Sequence, residues 1–166
     1  MQLFNLYLAD YNAIIMSLSP SQINKFMLFK LPSAFFCGVR VVSIDSQSCL
    51  TRVRLRWINQ NPFRSMFWAV QGMAAELSTG ALVMAAIRQS GKPISMLVLK
   101  NEASFLKKAR GAIHFSCEDG VMIKDAVEET LQNDEAVVCR LKSTGTDQKG
   151  DVVSEFYFEW TLKRKQ

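Results

Sequence analysis

From Met66 to Ile87 the chain reads Met-Phe-Trp-Ala-Val-Gln-Gly-Met-Ala-Ala-Glu-Leu-Ser-Thr-Gly-Ala-Leu-Val-Met-Ala-Ala-Ile, with Glu76 as its one charged residue. A helix that is apolar on every side belongs in a protein interior or a membrane, and an ionised carboxylate inside either costs several kcal/mol, roughly, unless it is paired. About 20 such residues are long enough to cross a bilayer. Against a span stand Gln71, Ser78 and Thr79 beside Glu76, and amphipathic segments on both flanks that need a soluble core. The stretch is therefore expected to be the buried central helix of a water-soluble domain, running from about Ser65 to Ile87.

The flanking pattern supports that expectation. Ser19-Pro20-Ser21-Gln22 predicts a capped helix start that Pro32 terminates, and residues 3–16 share its apolar periodicity. Two short helices are expected to cover one side. Residues 38–44 and 49–58 switch to period two, with Val53, Leu55 and Trp57 on one face and Arg52, Arg54 and Arg56 on the other. These predict a hairpin turning at Asp45-Ser46-Gln47-Ser48 and ending at Asn61-Pro62.

After a helix stop at Ser90-Gly91-Lys92-Pro93, a strand from Ile94 towards Ala109 breaks at Gly111 and returns through Ile113, Phe115 and Cys117, which predicts a second hairpin. Residues 122–132 predict a short amphipathic helix. Residues 136–143, and the alternation of Val152, Ser154, Phe156, Phe158, Trp160 and Leu162, predict two closing strands. The fold class is α+β: an antiparallel sheet of about six strands wrapped around one long central helix, with extra N-terminal helices. At 166 residues the chain fits one domain, with 1–35 as the helical cover and 36–164 as the core.

Composition narrows the chemistry. Cys37, Cys49, Cys117 and Cys139 lack metal-ligand spacing, and the single His114 completes no cluster, so no metal site is expected. The N-terminus lacks the basic flank of a secretory signal, which points to the cytoplasm. A net charge of +5 permits an anionic partner without choosing one.

Asn61 precedes Glu76 by fifteen positions. That spacing, the run Asn61-Pro-Phe-Arg-Ser-Met-Phe-Trp-Ala-Val-Gln-Gly-Met-Ala-Ala-Glu76 and the order of elements resemble the hotdog-fold thioesterases from about Gly38 to Trp160. In the phenylacetate-type acyl-CoA thioesterases an asparagine before the central helix is followed, fifteen residues on, by a catalytic aspartate or glutamate. Those enzymes carry His-Gly-Gly where this chain has Phe67-Trp68-Ala69. The chain is more similar to an uncharacterised bacterial thioesterase-like hotdog group with a Lys-x-x-Gly segment, here Lys108-Ala109-Arg110-Gly111.

The resemblance implies hydrolysis of an acyl-CoA or acyl-carrier thioester in a homodimer or tetramer, at a site between the central helix of one protomer and its partner. Glu76 would be the base or nucleophile, Asn61 would position the carbonyl or water, and the backbone amides of Met66 to Trp68 would hold the oxyanion. Met66, Phe67, Trp68, Gln71, Lys108 and Arg110 would bind substrate, the last two, with Lys107, through coenzyme A phosphates. No cofactor is implied beyond the coenzyme A of the substrate. No nucleic-acid or membrane partner is expected.

Bland readings stand beside these. Glu76 satisfied by Gln71, Ser78, Thr79 or a partner chain would be a structural acid, Asn61 before a proline is an ordinary turn residue, and a lysine run is an ordinary solvated face. A non-catalytic hotdog protein binding acyl-CoA or a lipid-like ligand is the alternative function. His114 lies beyond the central helix, whereas the hydroxyacyl dehydratases of this fold place their histidine before it, so it is expected on a polar strand face without a catalytic role.

Overall fold

The computed structural model describes residues 19–133 and 135–165. The helix expected over residues 3–16 lies outside them. Helix α1 (Pro20–Lys30) starts on Ser19, whose side chain accepts from the Gln22 amide, and a short α2 (Pro32–Phe36) follows. Then come strands β1 (Arg40–Ile44) and β2 (Cys49–Arg54), helix α3 (Trp68–Gln89), strands β3 (Ile94–Phe105) and β4 (Ala112–Cys117), helix α4 (Gly120–Gln132), and strands β5 (Val137–Thr146) and β6 (Val152–Arg164).

All six strands form one antiparallel sheet in the order β1-β2-β4-β5-β6-β3. The hairpin of β1 and β2 is present, with Arg40 opposite Arg52 and Ile44 opposite Cys49. The second expected hairpin is not. β3 pairs with β6 along its length, Ile94 opposite Arg164 and Phe105 opposite Ser154, while β4 inserts between β2 and β5. Period-two alternation says that a segment is a strand and says nothing about its neighbour. A second correction concerns Leu55 and Trp57. β2 stops at Arg54, and Trp57–Asn59 form a 3₁₀ turn that leaves Trp57 85% exposed.

The sheet curls around α3. Alternate residues of the strands point inward, among them Val53, Ile113, Phe115, Leu141, Phe156, Phe158, Trp160 and Leu162, all buried. Four polar contacts fasten the helix to this face. Thr51 Oγ1 donates to the Ala74 carbonyl (2.8 Å), Ser154 Oγ donates to Gln71 Oε1 (2.9 Å), Trp160 Nε1 donates to Thr79 Oγ1 (3.1 Å), and the Ser78 and Ser143 hydroxyls bond at 2.8 Å. Each partner is buried, so losing one would strand the other without water. Gly80 lets the helix settle close: a Cβ there would stand 3.1 Å from the Trp160 ring. By length and composition α3 qualifies as a membrane span, yet most of it is buried within the chain, as befits a core helix.

Candidate active site at the start of the central helix

The chain enters α3 through a tight loop. Asn61 Oδ1 accepts from the amides of Phe63 (3.0 Å) and Ser65 (3.2 Å), and its Nδ2 lies 3.1 Å from Ser65 Oγ. The Asn61 amide donates to the Ser65 carbonyl (2.8 Å), and Arg64 between them holds φ at 58°. That left-handed conformation is uncommon for a residue with a Cβ, and here the surrounding hydrogen bonds impose it. Asn61 is thus a turn residue that keeps one Nδ2 hydrogen without an acceptor among the described residues.

The segment 107–111 runs alongside this entrance. The Met66 amide donates to the Ala109 carbonyl (2.9 Å), the Leu55 amide donates to the Gly111 carbonyl (2.7 Å), and the Phe67 amide donates to the Asn59 carbonyl (2.9 Å). Gly111 makes the bend at φ 72°, where a side chain would be strained. Between the two segments lies a cleft of about 350 Å³ lined by Asn61, Ser65, Met66, Trp68, Gln71, Phe105, Leu106, Lys107, Lys108 and Ala109.

The sequence-predicted residues divide here. Asn61, Met66, Trp68, Gln71 and Lys108 converge on the cleft; Phe67, Arg110 and Glu76 do not line it. Phe67 is exposed, edge-on to the Trp68 ring at 5.8 Å. Arg110 is exposed nearby. Gln71 is 4% exposed and engaged at both ends of its amide: besides accepting from Ser154, it donates to the Met66 carbonyl (3.3 Å), which makes it a fastener of the helix. Lys107 is ion-paired to Asp147 and Asp151, which removes it as a free phosphate ligand, whereas Lys108 has no ion pair among the described residues.

The expected oxyanion donors also shift. The Met66 and Phe67 amides are spent on Ala109 and Asn59, as above. The helix begins at Trp68, and its N-cap is Phe67, a side chain that accepts nothing. The Trp68 and Ala69 amides are therefore left without an acceptor among the described residues. Placing the helix start at Ser65 hid this; the rule that the first turn leaves its amides open would have found it with the correct boundary. Phe105 and Leu106 were missed because nothing marks them but an adjacent apolar pair where strand alternation ends.

Glu76 is not buried, contrary to the sequence expectation. The sheet covers one side of α3, and Glu76 stands on the other, exposed in the single chain. Neither a hydrogen bond nor an ion pair engages its carboxylate among the described residues. Its pKa is nevertheless raised, because the atoms packed around it strip away water that would stabilise the charge. Half-buried Gly72 and Met73 and buried Gly80 lie within one turn of it. From Trp68 to Glu76 is about 12 Å along the axis, and from Gln71 to Glu76 the helix turns about 140°. Within one chain Glu76 and the cleft of Asn61 do not meet.

Other nucleophiles are unsuited. Burial pushes the Cys49 and Cys117 thiols up to about 12 and Cys139 to about 11. His114 sits half-buried on β4 opposite Arg52. Among the described residues no group of three His, Cys, Asp or Glu side chains could hold a metal ion.

Solved structures share this architecture. A Pseudomonas aeruginosa protein of unknown function, described as a probable thioesterase, superposes with a TM-score of 0.75 at 21% identity over 89% of this chain and 97% of that one. A Chlorobaculum tepidum protein of unknown function gives 0.75 at 16% identity over 90% and 99%. A Haemophilus influenzae thioesterase gives 0.65 at 9% identity over 89% and 92%. The fold is the hotdog fold of thioesterase-like proteins. No curated protein sequence matches the chain. The family model described as domain of unknown function DUF4442 matches residues 20–162, and the chain belongs to that family.

Proposed function

We propose that this protein is a thioester hydrolase acting on acyl-CoA or an acyl carrier, at a site that two copies of the chain complete. The observation that carries the reading is Glu76: an unpaired carboxylate among the described residues, raised in pKa by desolvation, on the uncovered face of a helix whose one other charge is Arg88 in its last turn. A base works best when its pKa approaches the working pH, and desolvation moves Glu76 in that direction. In a dimer, the partner's copy of this carboxylate would face the Asn61 cleft that it cannot reach in its own chain. The unpaired edge of β3 supplies a means of dimerisation.

In this reading the thioester carbonyl lies against the free amides of Trp68 and Ala69, with the open Nδ2 hydrogen of Asn61 as a further donor. As a base, Glu76 takes a proton from the attacking water while the C–O bond forms and returns it to sulfur as the C–S bond breaks, so that the carboxylic acid and the thiol leave; as a nucleophile, it displaces the thiolate, which takes up a proton from water, and the mixed anhydride on Glu76 is then hydrolysed by a second water. Lys108 at the cleft rim and Arg110 beside it are the cations suited to coenzyme A phosphates.

Hydrolysis of acyl-CoA esters by the purified protein, with Glu76→Gln lowering the rate about 10²-fold or more and Asn61→Ala lowering it less, is the expected result. Turnover unchanged in Glu76→Gln removes the mechanism. One observation favours the non-catalytic alternative: Trp68 lines the cleft, at a position where the resemblance to the phenylacetate-type enzymes implies glycine. Saturable acyl-CoA binding without turnover would establish it.

A further inference from the structure

Exposed aromatic residues and unpaired arginines meet at the end of the sheet opposite the turn between β1 and β2. The buried Asn59 builds this end. Its Nδ2 donates to the carbonyls of Cys37 (2.8 Å) and Arg54 (2.9 Å), and its Oδ1 accepts from the Arg56 amide (2.7 Å). The 3₁₀ turn is thereby locked with Trp57 and Ile58 outward, 85% and 55% exposed, beside Phe36, which precedes Cys37 and is 63% exposed. Phe29 and Leu31, at the junction of α1 and α2, are exposed as well. A turn clamped by a buried amide displays these side chains by construction, and an apolar display of this size marks an interaction surface.

Charge decides the partner. From Ser19 to Ala75 the chain carries seven Lys and Arg residues and one acid, Asp45; elsewhere it carries thirteen cations and fourteen acids. Asp45 is at the far end of β1 and β2, where its carboxylate accepts from the amides of Gln47 and Ser48. At the near end Arg54 and Arg56 are exposed and make no ion pair among the described residues. The Arg56 guanidinium reaches to 3.9 Å from where a Gly38 Cβ would stand, and Arg40 stacks on Phe35 at 3.6 Å.

We propose that this face docks on an anionic lipid bilayer, with Trp57, Ile58 and Phe36 entering the headgroup boundary and Arg54 and Arg56 pairing with lipid phosphates. Tryptophan concentrates at membrane interfaces, and apolar side chains flanked by cations are what surface-bound proteins insert. A nucleic acid would use the arginines and the rings but gains nothing from Ile58 and Leu31. The sequence expectation of no membrane partner weighed only a spanning helix, and exposure at Trp57 was hidden by reading it as an inward strand residue. The inference stands apart from the thioesterase reading, since none of these residues lines the Asn61 cleft.

The test is co-sedimentation of the full-length protein with vesicles of phosphatidylcholine alone and of phosphatidylcholine with phosphatidylglycerol. The expected result is retention on the anionic vesicles only, weakening with salt, and falling about tenfold in Trp57→Ser, in Ile58→Ser and in the pair Arg54→Gln, Arg56→Gln. The pair Lys163→Gln, Lys165→Gln removes the same charge from the chain end and should retain most binding. Thermal melts matching the parent verify folding, as expected for exposed positions. The proposal is overturned by no retention on anionic vesicles, by retention indifferent to Trp57 and Ile58, or by equal loss in the chain-end control. It is equally overturned if Trp57→Ser changes the oligomeric mass of a parent that ignores vesicles, or if RNA or DNA is bound in their place.

Discussion

The two edges of the sheet are finished in opposite ways. β1 is short, its register shifts between Val41 and Ser43, and α1 lies along it. Asn24 reaches from that helix to satisfy the strand's main chain at Val41, donating to its carbonyl and accepting from its amide, both at 2.9 Å. β3 is twelve residues long, with Leu97 and Leu99 65% and 60% exposed and no element of the described chain beyond it. A long edge with exposed leucines invites pairing, and proteins that remain single usually blunt it. One edge is closed by the chain itself; the other is open among the described residues, as is the Glu76 face of α3, and the proposed dimer would use both.

The largest effect should come from breaking the open edge. Leu97→Asp with Leu99→Asp should leave a folded monomer by light scattering, with hydrolysis down about 10²-fold or more because each site would lose its partner's carboxylate. A monomeric variant that keeps full activity would show that one chain suffices. The same comparison sharpens by mixing: Asn61→Ala and Glu76→Gln homodimers, unfolded and refolded together, should recover about a quarter of parental activity, since half the dimers are hybrid and each hybrid holds one intact site. No recovery would place both residues in one protomer's site.

Breaking the closed edge should affect stability instead. Asn24→Ala strands the amide and carbonyl of Val41 and should cost about 1–3 kcal/mol in denaturant unfolding, without changing the oligomeric mass. The smallest effect concerns Glu76 itself. Its folded pKa is raised, so the folded chain holds this proton to higher pH than the unfolded chain, and stability is lost as pH climbs from the ordinary value of 4.5 through the folded one. Glu76→Gln should therefore melt slightly higher than the parent at neutral pH, and the difference should vanish below pH 4.5.

Local residues were informative wherever neighbours in the chain decide the outcome. The helix boundaries around Ser19, Pro32 and Ser90 follow from capping and proline, and the alternation of Phe156, Phe158 and Trp160 marks an inward strand face. The cleft was legible only in part. Asn61, Trp68 and Lys108 belong to it, but Phe105 and Leu106 come from a strand end that no motif marks. The free amides of Trp68 and Ala69 depend on a helix start that Ser65 obscured.

By itself, then, the sequence determined most of the helices and strands, the sheet around one apolar helix and the singular position of Glu76, because hydrophobic period and chain-local sterics carry that information. Tertiary structure alone decided that β3 pairs with β6, that Gln71 and Lys107 are consumed by Ser154 and by Asp147 with Asp151, and that Glu76 faces outward while Asn61 faces a cleft it does not share. Those outcomes depend on which surfaces meet across long stretches of chain. A one-dimensional pattern records which faces are apolar, and not what each of them will touch.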